Sequence, residues 1–230
     1  MKILAIDTST EACSAALLID DKVTQRYQIA PRQHADLILG MSDELLSESK
    51  TKLSELDAIA FGRGPGAFTG VRIATGVAQG IAFAHDLPVV PVSSLAAMAF
   101  GAWHENNSSH IMTAIDARMD EVYWACYECS HQAIEQIVEE QVCSPEQVTL
   151  PDNGTWIGLG SGWDSYQQSL TDLTGKRVIE IDATCFPQAK YIAMLAALSV
   201  DKGETVSASE AIPVYLRDNV AKKKSAQKIS

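Results

Sequence analysis

The sequence lacks the uninterrupted apolar run of about 20 residues that a helix needs to cross a bilayer. Its first apolar segment is interrupted by Asp7, which is too early for a signal peptide. Positive charge is also scarce, because 18 Lys and Arg residues face 29 Asp and Glu residues and the net charge is −11. We therefore expect a cytoplasmic protein that does not associate with membranes and does not bind nucleic acid strongly by itself.

Common metal-binding and catalytic signatures are missing as well. No GxSxG elbow occurs, and neither HxxxH nor HExxH is formed by the five histidines, His34, His85, His104, His110 and His131. The five cysteines are odd in number and scattered, which does not fit a disulfide scaffold. Cys126 and Cys129 have CxxC spacing, but in a strand residues three apart point to opposite faces. The sequence therefore predicts no metal site built from histidines or cysteines.

The 230 residues divide into two predicted α/β lobes, 1–104 and 105–230, separated by the polar stretch 105–109. The first lobe has the order β-β-β-α-β-α-β-α, with strands at 2–6, 12–19, 22–29, 56–61 and 88–92 and helices at 34–48, 70–85 and 94–103. The second has strands at 110–115, 121–128, 133–141, 155–159 and 177–180 and helices at 163–170 and 187–200. Because both lobes open with strand–turn–strand units that contain an acid, Asp7 and Asp116, we hypothesise a duplication.

A glycine-rich loop joins the fourth strand to the second helix. Its residues are Gly62, Gly64, Pro65, Gly66, Thr69, Gly70 and Arg72. Backbone N–H groups at a strand–loop–helix junction favour an anion or a closely approaching chain segment. The alternative is that the glycines only make the turn.

Two acidic turns are candidate phosphate or magnesium sites, because carboxylates and hydroxyls on a strand–strand turn can hold either. The first turn contains Asp7, Thr8, Ser9 and Thr10, and the second contains Asp116 and Arg118. The guanidinium of Arg118 could clamp an anion through two hydrogen bonds. The alternative is that these residues only build hairpin turns.

The first two helices carry apolar stripes, listed as Leu37, Ile38, Met41 and Leu45 and as Ala74, Val77, Ala78 and Ile81. Gly76 and Gly80 lie four apart within a helix, where each glycine costs about 1 kcal/mol relative to alanine. Close packing against another helix, in the same lobe or in a partner subunit, would compensate for that cost. His34 opens the first of these helices and is expected to cap or pack it.

Several blocks resemble the TsaB family, also called YeaZ. They are residues 3–17 (ILAIDTSTEACSAAL), 64–73 (GPGAFTGVRI), 116–118 (DAR) with 121–123 (EVY), 158–162 (GLGSG) and 213–218 (PVYLRD). The resemblance covers nearly the whole chain. It implies the two-lobed, RNase H-like architecture of actin, Hsp70 and sugar kinases (ASKHA), with mixed sheets flanked by helices.

The resemblance also implies a function. Family members act with a catalytic paralogue, TsaD, and an ATPase, TsaE, to transfer threonylcarbamoyl from its adenylate to the adenosine beside the anticodon of tRNA. The paralogue binds metal through paired helical histidines that this sequence lacks, so the resemblance implies a non-catalytic subunit with vestigial phosphate turns and no cofactor of its own. ATP or ADP and metal are expected on the partners or at the subunit junction, and tRNA is expected to bind only through the complex.

The expected docking surface combines the two helices. Its residues are His34, Leu37, Ile38, Met41, Leu45, Ala74, Gly76, Val77, Ala78, Gly80 and Ile81. Without the paralogue, this surface should form a homodimer. Two other functions stay open, an independent ATP-binding phosphotransferase and a peptidase. The lysine-rich end, Lys222, Lys223, Lys224 and Lys228, is either a solvated tail or an RNA contact.

Overall fold

The computed structural model describes residues 1–130 and 133–217, so His131 and the predicted lysine tail at 222–228 lie outside the described residues. The first half of the chain forms a five-stranded sheet with the order β3-β2-β1-β4-β5. Its strands are β1 (Lys2–Asp7), β2 (Ala12–Ile19), β3 (Lys22–Ile29), β4 (Ala58–Gly62) and β5 (Val89–Val92). Its helices are α1 (His34–Ser49), α2 (Phe68–His85) and α3 (Ser94–Asn106).

The second half forms another five-stranded sheet with the order β10-β9-β6-β7-β8. Its strands are β6 (His110–Arg118), β7 (Glu121–Cys129), β8 (Ile134–Cys143), β9 (Trp156–Leu159) and β10 (Val178–Asp182). The remaining helices are α4 (Gly162–Ser165), α5 (Gln167–Thr174) and α6 (Ala189–Asp201). The predicted helix at 163–170 is thus two helices, which separate at Tyr166, where φ of −129° and ψ of 33° are not helical.

The two sheets share one topology. In each, the first strand pairs antiparallel with the second and parallel with the fourth, and the fifth strand extends the sheet beside the fourth. Three consecutive antiparallel strands followed by two parallel ones therefore occur twice, in the same order. This repetition supports the duplication hypothesis and confirms the two-lobed α/β fold with mixed sheets flanked by helices.

The central strand β1 is apolar on both faces because helices cover both faces of its sheet. Leu4 and Ile6 pack in the core under α1 and α2, whereas Ile3 and Ala5 pack on the opposite side, and all four are fully buried. A strand that is buried on both faces has no polar alternation. This is why the sequence reads as a continuous apolar run there.

The last helix, α6, belongs to the core of the first lobe. Ile192 and Ala196 of α6 are fully buried against Ile3 and Ala5 of the first sheet. A short bridge between Val89 and Val206 ties the following segment to β5. The two sheets lie on either side of residue 105, but the predicted second lobe, 105–230, supplies a helix to the first lobe, so the lobes are not contiguous in sequence.

Cys126 and Cys129 lie on opposite faces of β7, as the strand periodicity predicts. Cys126 packs in the cluster that contains Trp124 and Trp163, whereas Cys129 packs in the cluster on the α3 side. Burial raises the pKa of both thiols to about 12. The pair therefore lacks the shared face that chelation requires.

Within residues 1–130 and 133–217, no helix combines the length and the apolar character that a membrane-spanning segment requires.

We expect Ile192→Ala to destabilise the whole molecule by about 2–5 kcal/mol, because it leaves a cavity in the core between α6 and the first sheet. Urea denaturation would measure this change, and hydrogen exchange should show lost protection in β1 and β2. Leu198→Ala is the control, since Leu198 lies on the same helix but is 42% exposed, and it should cost less than about 1 kcal/mol. Unchanged protection of β1 and β2 in Ile192→Ala would contradict the placement of α6.

Candidate functional site

The glycine loop closes over the first acidic turn. The Ala67 N–H donates to the carbonyl oxygen of Ser9 over 2.7 Å, and the Thr8 hydroxyl donates to the carbonyl oxygen of Gly70 over 2.6 Å. Asp7, Thr8 and Ser9 are completely buried as a result. Of the two expectations for this loop, an anion or an approaching chain, the described contacts are those of a chain segment.

Three glycines allow this contact because a side chain would collide with the turn. A Cβ at Gly62 would lie 1.8 Å from Asp7 Oδ2, one at Gly66 would lie 2.2 Å from the Ser9 carbonyl oxygen, and one at Gly70 would lie 2.0 Å from the Thr8 carbonyl oxygen. Real Cβ atoms do not approach so closely. The absence of side chains is therefore a packing requirement at these three positions.

The buried carboxylate of Asp7 has an unusual environment. It accepts hydrogen bonds from the backbone N–H of Ser9 (3.0 Å) and from the Ser9 hydroxyl (2.9 Å). Burial raises its pKa to about 6, even though the bonds from Ser9 partly oppose the shift. The carboxylate is sealed beneath Gly62, so the first turn does not fit a phosphate or a magnesium ion at Asp7.

The rest of the glycine loop shapes the start of α2. Gly64 has φ +94° and precedes Pro65, both of them buried. Thr69 and Arg72 are exposed on α2. The Arg72 guanidinium lies over the Phe68 ring, 3.6 Å from its centroid, and its Nε donates to the Tyr215 hydroxyl over 2.8 Å. The positive charge of Arg72 is therefore in contact with two aromatic side chains.

The residues of the second acidic turn pair with each other and with Glu11 of the first lobe. Asp116 Oδ1 accepts the backbone N–H of Arg118 over 2.8 Å, and Asp116 Oδ2 lies 2.7 Å from Arg118 Nη1. A second guanidinium nitrogen of Arg118 is 3.4 Å from Glu11 of the first lobe. Arg118 is thus paired with carboxylates of both lobes.

A cavity of about 530 Å³ lies between the lobes and collects part of both turns. Ser9, Thr10 and Glu11 line one wall, and Asp116 and Arg118 line the other. Asp7 and Thr8 do not reach this cavity. The structure therefore brings the end of the first predicted turn close to the second turn. Asp7, the acid that opens the first turn, lies apart from both.

The predicted docking surface needs a correction. Five of its residues are at most 9% exposed and pack in the core of the first lobe, namely Ile38, Met41, Leu45, Ala74 and Ala78. The apolar spacing that marked them is the spacing of the helix face that covers the sheet. Those five residues are not available to a partner, and His34, which is 9% exposed, lines the cavity between the lobes instead.

The other predicted residues lie at the surface. Gly76 and Gly80 are exposed, whereas Leu37, Val77 and Ile81 are half-buried along the edge of the core. A Cβ at Gly76 or Gly80 would meet no described atom within 4 Å. The first lobe thus leaves Gly76 and Gly80 of α2 without a packing neighbour, unlike Gly70.

Residues that sequence reasoning missed complete this surface. Phe83 is 84% exposed and Leu39 is 56% exposed. Phe83 follows Gly76 and Gly80 at the i, i+4, i+7 spacing of one helix face, so a helical projection centred on the glycines could have found it. We call Leu39, Ile73, Gly76, Val77, Gly80 and Phe83 the outward face of α1 and α2.

His34 contributes an unusual group at the start of α1. Its Nε2 atom is buried and has no hydrogen-bond partner among the described residues. Within the same residues, no group of three or more His, Cys, Asp or Glu side chains is arranged to hold a metal ion.

The fold and the closed turn define the chain as a two-lobed, actin-like α/β protein. A family model described as TsaD, tRNA N6-adenosine threonylcarbamoyltransferase, matches residues 21–225. Proteins named tRNA threonylcarbamoyladenosine biosynthesis protein TsaB are 44% identical in Escherichia coli strain K12 and 42% identical in Haemophilus influenzae. Both alignments cover 97% of this chain. They cover 98% of the E. coli protein and 97% of the H. influenzae protein. The chain belongs to the TsaB (YeaZ) family.

Solved structures agree with this assignment. The structure described as YeaZ from Pseudomonas aeruginosa superposes with a TM-score of 0.88 at 46% sequence identity. The match covers 94% of this chain and 99% of that one. The TsaB protein of Bacillus subtilis strain 168 is more distant, at 29% identity over 94% of each chain.

We expect Asp7 to make the stability depend on pH in a defined window. Because its pKa is about 6 in the folded state and near 3.8 when exposed, the folded state holds the proton more tightly. The favourable contribution of protonated Asp7 to the free energy of unfolding is therefore complete below about pH 4. It is lost as the pH rises through about 6. At about 1.4 kcal/mol per pKa unit, the loss is on the order of 3 kcal/mol.

Chemical denaturation of the wild type and of Asp7→Asn between pH 4 and pH 7 tests this expectation. The asparagine side chain of the variant can still accept the Ser9 N–H but does not ionise, so the stability difference between the two proteins should change across the window. A pH-independent difference would show that Asp7 is not buried as described.

Proposed function

We propose that this protein is a non-catalytic subunit of the tRNA threonylcarbamoyladenosine machinery, which docks on a TsaD-type paralogue through the outward face of α1 and α2. Its relatives in E. coli and H. influenzae carry the name of that biosynthesis. The observation that carries the proposal is the pair of exposed, unpacked glycines beside exposed Phe83. Docking stabilises the catalytic partner in its active arrangement.

The chemistry of the outward face favours another helix as its occupant. Glycines four apart let a second helix backbone approach closely, and an exposed phenylalanine supplies a large apolar contact beside them. Glycine within a helix costs about 1 kcal/mol, and the described part of this chain offers no packing in return. A helix pair from a homologous subunit would bury on the order of 1,200–2,000 Å² in total.

The closed first turn supports a non-catalytic role. In a two-lobed fold of this kind, a nucleotide phosphate needs an accessible turn, whereas here Thr8 and Ser9 are covered by the glycine loop and Asp7 lies beneath Gly62. The loop thus serves as a packing element that positions α2. The protein contributes a surface to the complex, and its partners contribute the reacting groups.

The proposal assigns cofactors and further partners to the complex. ATP or ADP and metal would lie on the TsaD-type and TsaE-type subunits or at their junction with this chain. tRNA would bind through the assembly, because a chain with a net charge of −11 repels a phosphate backbone. In the absence of the paralogue, the same outward face would pair two copies of this chain.

An independent ATP-binding phosphotransferase is the second candidate, and the cavity between the lobes is the observation that favours it. Thr10 and Arg118 could contact a phosphate there. Arg118 is already paired with Asp116 and Glu11, which weakens this candidate. No described feature favours a peptidase.

We expect Gly80→Leu to weaken binding of the TsaD-type paralogue by roughly 5- to 150-fold, because a bulky side chain separates closely packed helices at a cost of about 1–3 kcal/mol. The isolated chain should remain folded and gain a few tenths to about 1 kcal/mol, since leucine is the better helix former. Isothermal titration calorimetry with the paralogue measures the affinity. Threonylcarbamoyl transfer to tRNA by the reconstituted mixture should fall in parallel.

Gln168→Leu is the matched control, because it adds the same side chain to an exposed helix position of the second lobe. It should leave both affinity and transfer unchanged. Wild-type affinity in Gly80→Leu would exclude the outward face as the docking surface. Transfer by this chain alone would exclude the non-catalytic role.

We expect no stoichiometric binding of ATP with magnesium to the isolated chain, because the first turn is covered. Calorimetry on the purified protein measures this. Tight binding accompanied by hydrolysis would instead support the phosphotransferase.

A further inference from the structure

A largely buried ion pair connects the two lobes. The Arg63 Nη2 atom lies 3.2 and 3.1 Å from the two carboxylate oxygens of Glu140. Arg63 comes from the glycine loop of the first lobe, and Glu140 comes from β8 of the second. The side chain of Glu140 is 8% exposed and that of Arg63 is 24% exposed, so water screens this pair poorly.

The backbone of Arg63 is fixed from both sides. Its N–H donates to the carbonyl oxygen of Val92 over 2.8 Å, which continues the pairing of β4 with β5. Its carbonyl oxygen accepts the N–H of Val214 over 2.9 Å. The guanidinium is therefore presented from a rigid part of the first lobe.

A β-bulge aims Glu140 at that guanidinium. Cys126 pairs with Val138, but Trp124 pairs with Gln141, so β8 contains one residue more than β7 in this interval. Val138 packs with Cys126 on one face of the sheet, and in a regular strand residue 140 would share that face. The extra residue instead brings Glu140 to Tyr127, which belongs to the cluster on the α3 side, next to the first lobe.

Tyr127 completes the network. Its hydroxyl donates to Glu140 Oε1 over 3.2 Å. Burial, followed by the charge of Glu140, raises the pKa of Tyr127 well above its ordinary range, so the phenol keeps its proton and remains a donor. Glu140 thus has partners from both lobes.

Such a network contributes little net stability. Desolvation of two buried charges cancels most of their attraction, and apolar replacements of a buried pair are often neutral or stabilising. What a buried pair can supply is specificity, because the charges are satisfied in one geometry only. For two lobes, that geometry is their mutual orientation.

We propose that Arg63 and Glu140, with Tyr127, form a latch that holds the two lobes at one fixed angle. Two-lobed proteins commonly move by hinge closure, and the latch opposes that motion in this chain. Rotation of the second lobe would separate the carboxylate from the guanidinium and leave the largely buried charge of Glu140 without its partner. The glycine loop, and with it the start of α2, is thereby held relative to the second lobe.

Distances between spin labels in the two lobes test the latch. Labels on a genetically encoded amino acid at Ser47 and Lys176, both exposed, avoid the native cysteines. We expect a narrow distance distribution in the otherwise unaltered chain and at least a twofold broader one in Arg63→Met/Glu140→Met. The unfolding midpoint of that double variant should be equal to or higher than that of the wild type, because no buried charge is left unpaired.

Arg26→Met is the matched control, since Arg26 pairs with Glu44 and Glu48 inside the first lobe. It should leave the distribution narrow. If the double variant does not fold, Glu140→Gln keeps the shape of the side chain and should broaden the distribution by weakening the bond to Arg63. If folded Arg63→Met/Glu140→Met or Glu140→Gln shows a distance distribution as narrow as that of the wild type, the latch does not exist. The packing of α3 and α6 would then set the angle between the lobes.

Discussion

The close approach of two backbone segments, the glycine loop and the turn after β1, positions the rest of the first lobe. An N–H donor and a hydroxyl donor join the segments at 2.7 and 2.6 Å, and Gly66 and Gly70 leave no side chain between them. This contact fixes where α2 begins and which of its faces meets the sheet. It also seals Asp7 from solvent. The availability of the outward face and the closure of the phosphate turn therefore have a common cause.

The periodicity of the sequence was sufficient for the fold but ambiguous for the surface. Alternation and helical spacing predicted the strands of both sheets and the long helices, because each element buries one regular face. The same spacing marks the buried side of a helix, so Ile38 and Ala74 were assigned to the wrong side. Gly76 and Gly80 were better indicators of the exposed side of α2. A glycine inside a helix destabilises it, so its presence points to something outside the helix.

Two features had no local signal. The return of α6 to the first sheet depends on contacts between residues at opposite ends of the chain, such as Ile3 and Ile192. The orientation of Glu140 depends on a bulge, which shifts the strand alternation by one residue and looks in the sequence like an ordinary polar strand. Local patterns cannot report either, because both arise from how separate elements meet.

The duplicated topology has one unequal element. In the first half a glycine loop leads into α2, which has 18 residues, whereas the corresponding loop of the second half leads into α4 and α5, which have 4 and 8 residues. The repeat therefore does not reproduce the long exposed helix. Under the proposed docking, each molecule would use the outward face once, so pairing through that face would close on itself and would not extend into a filament.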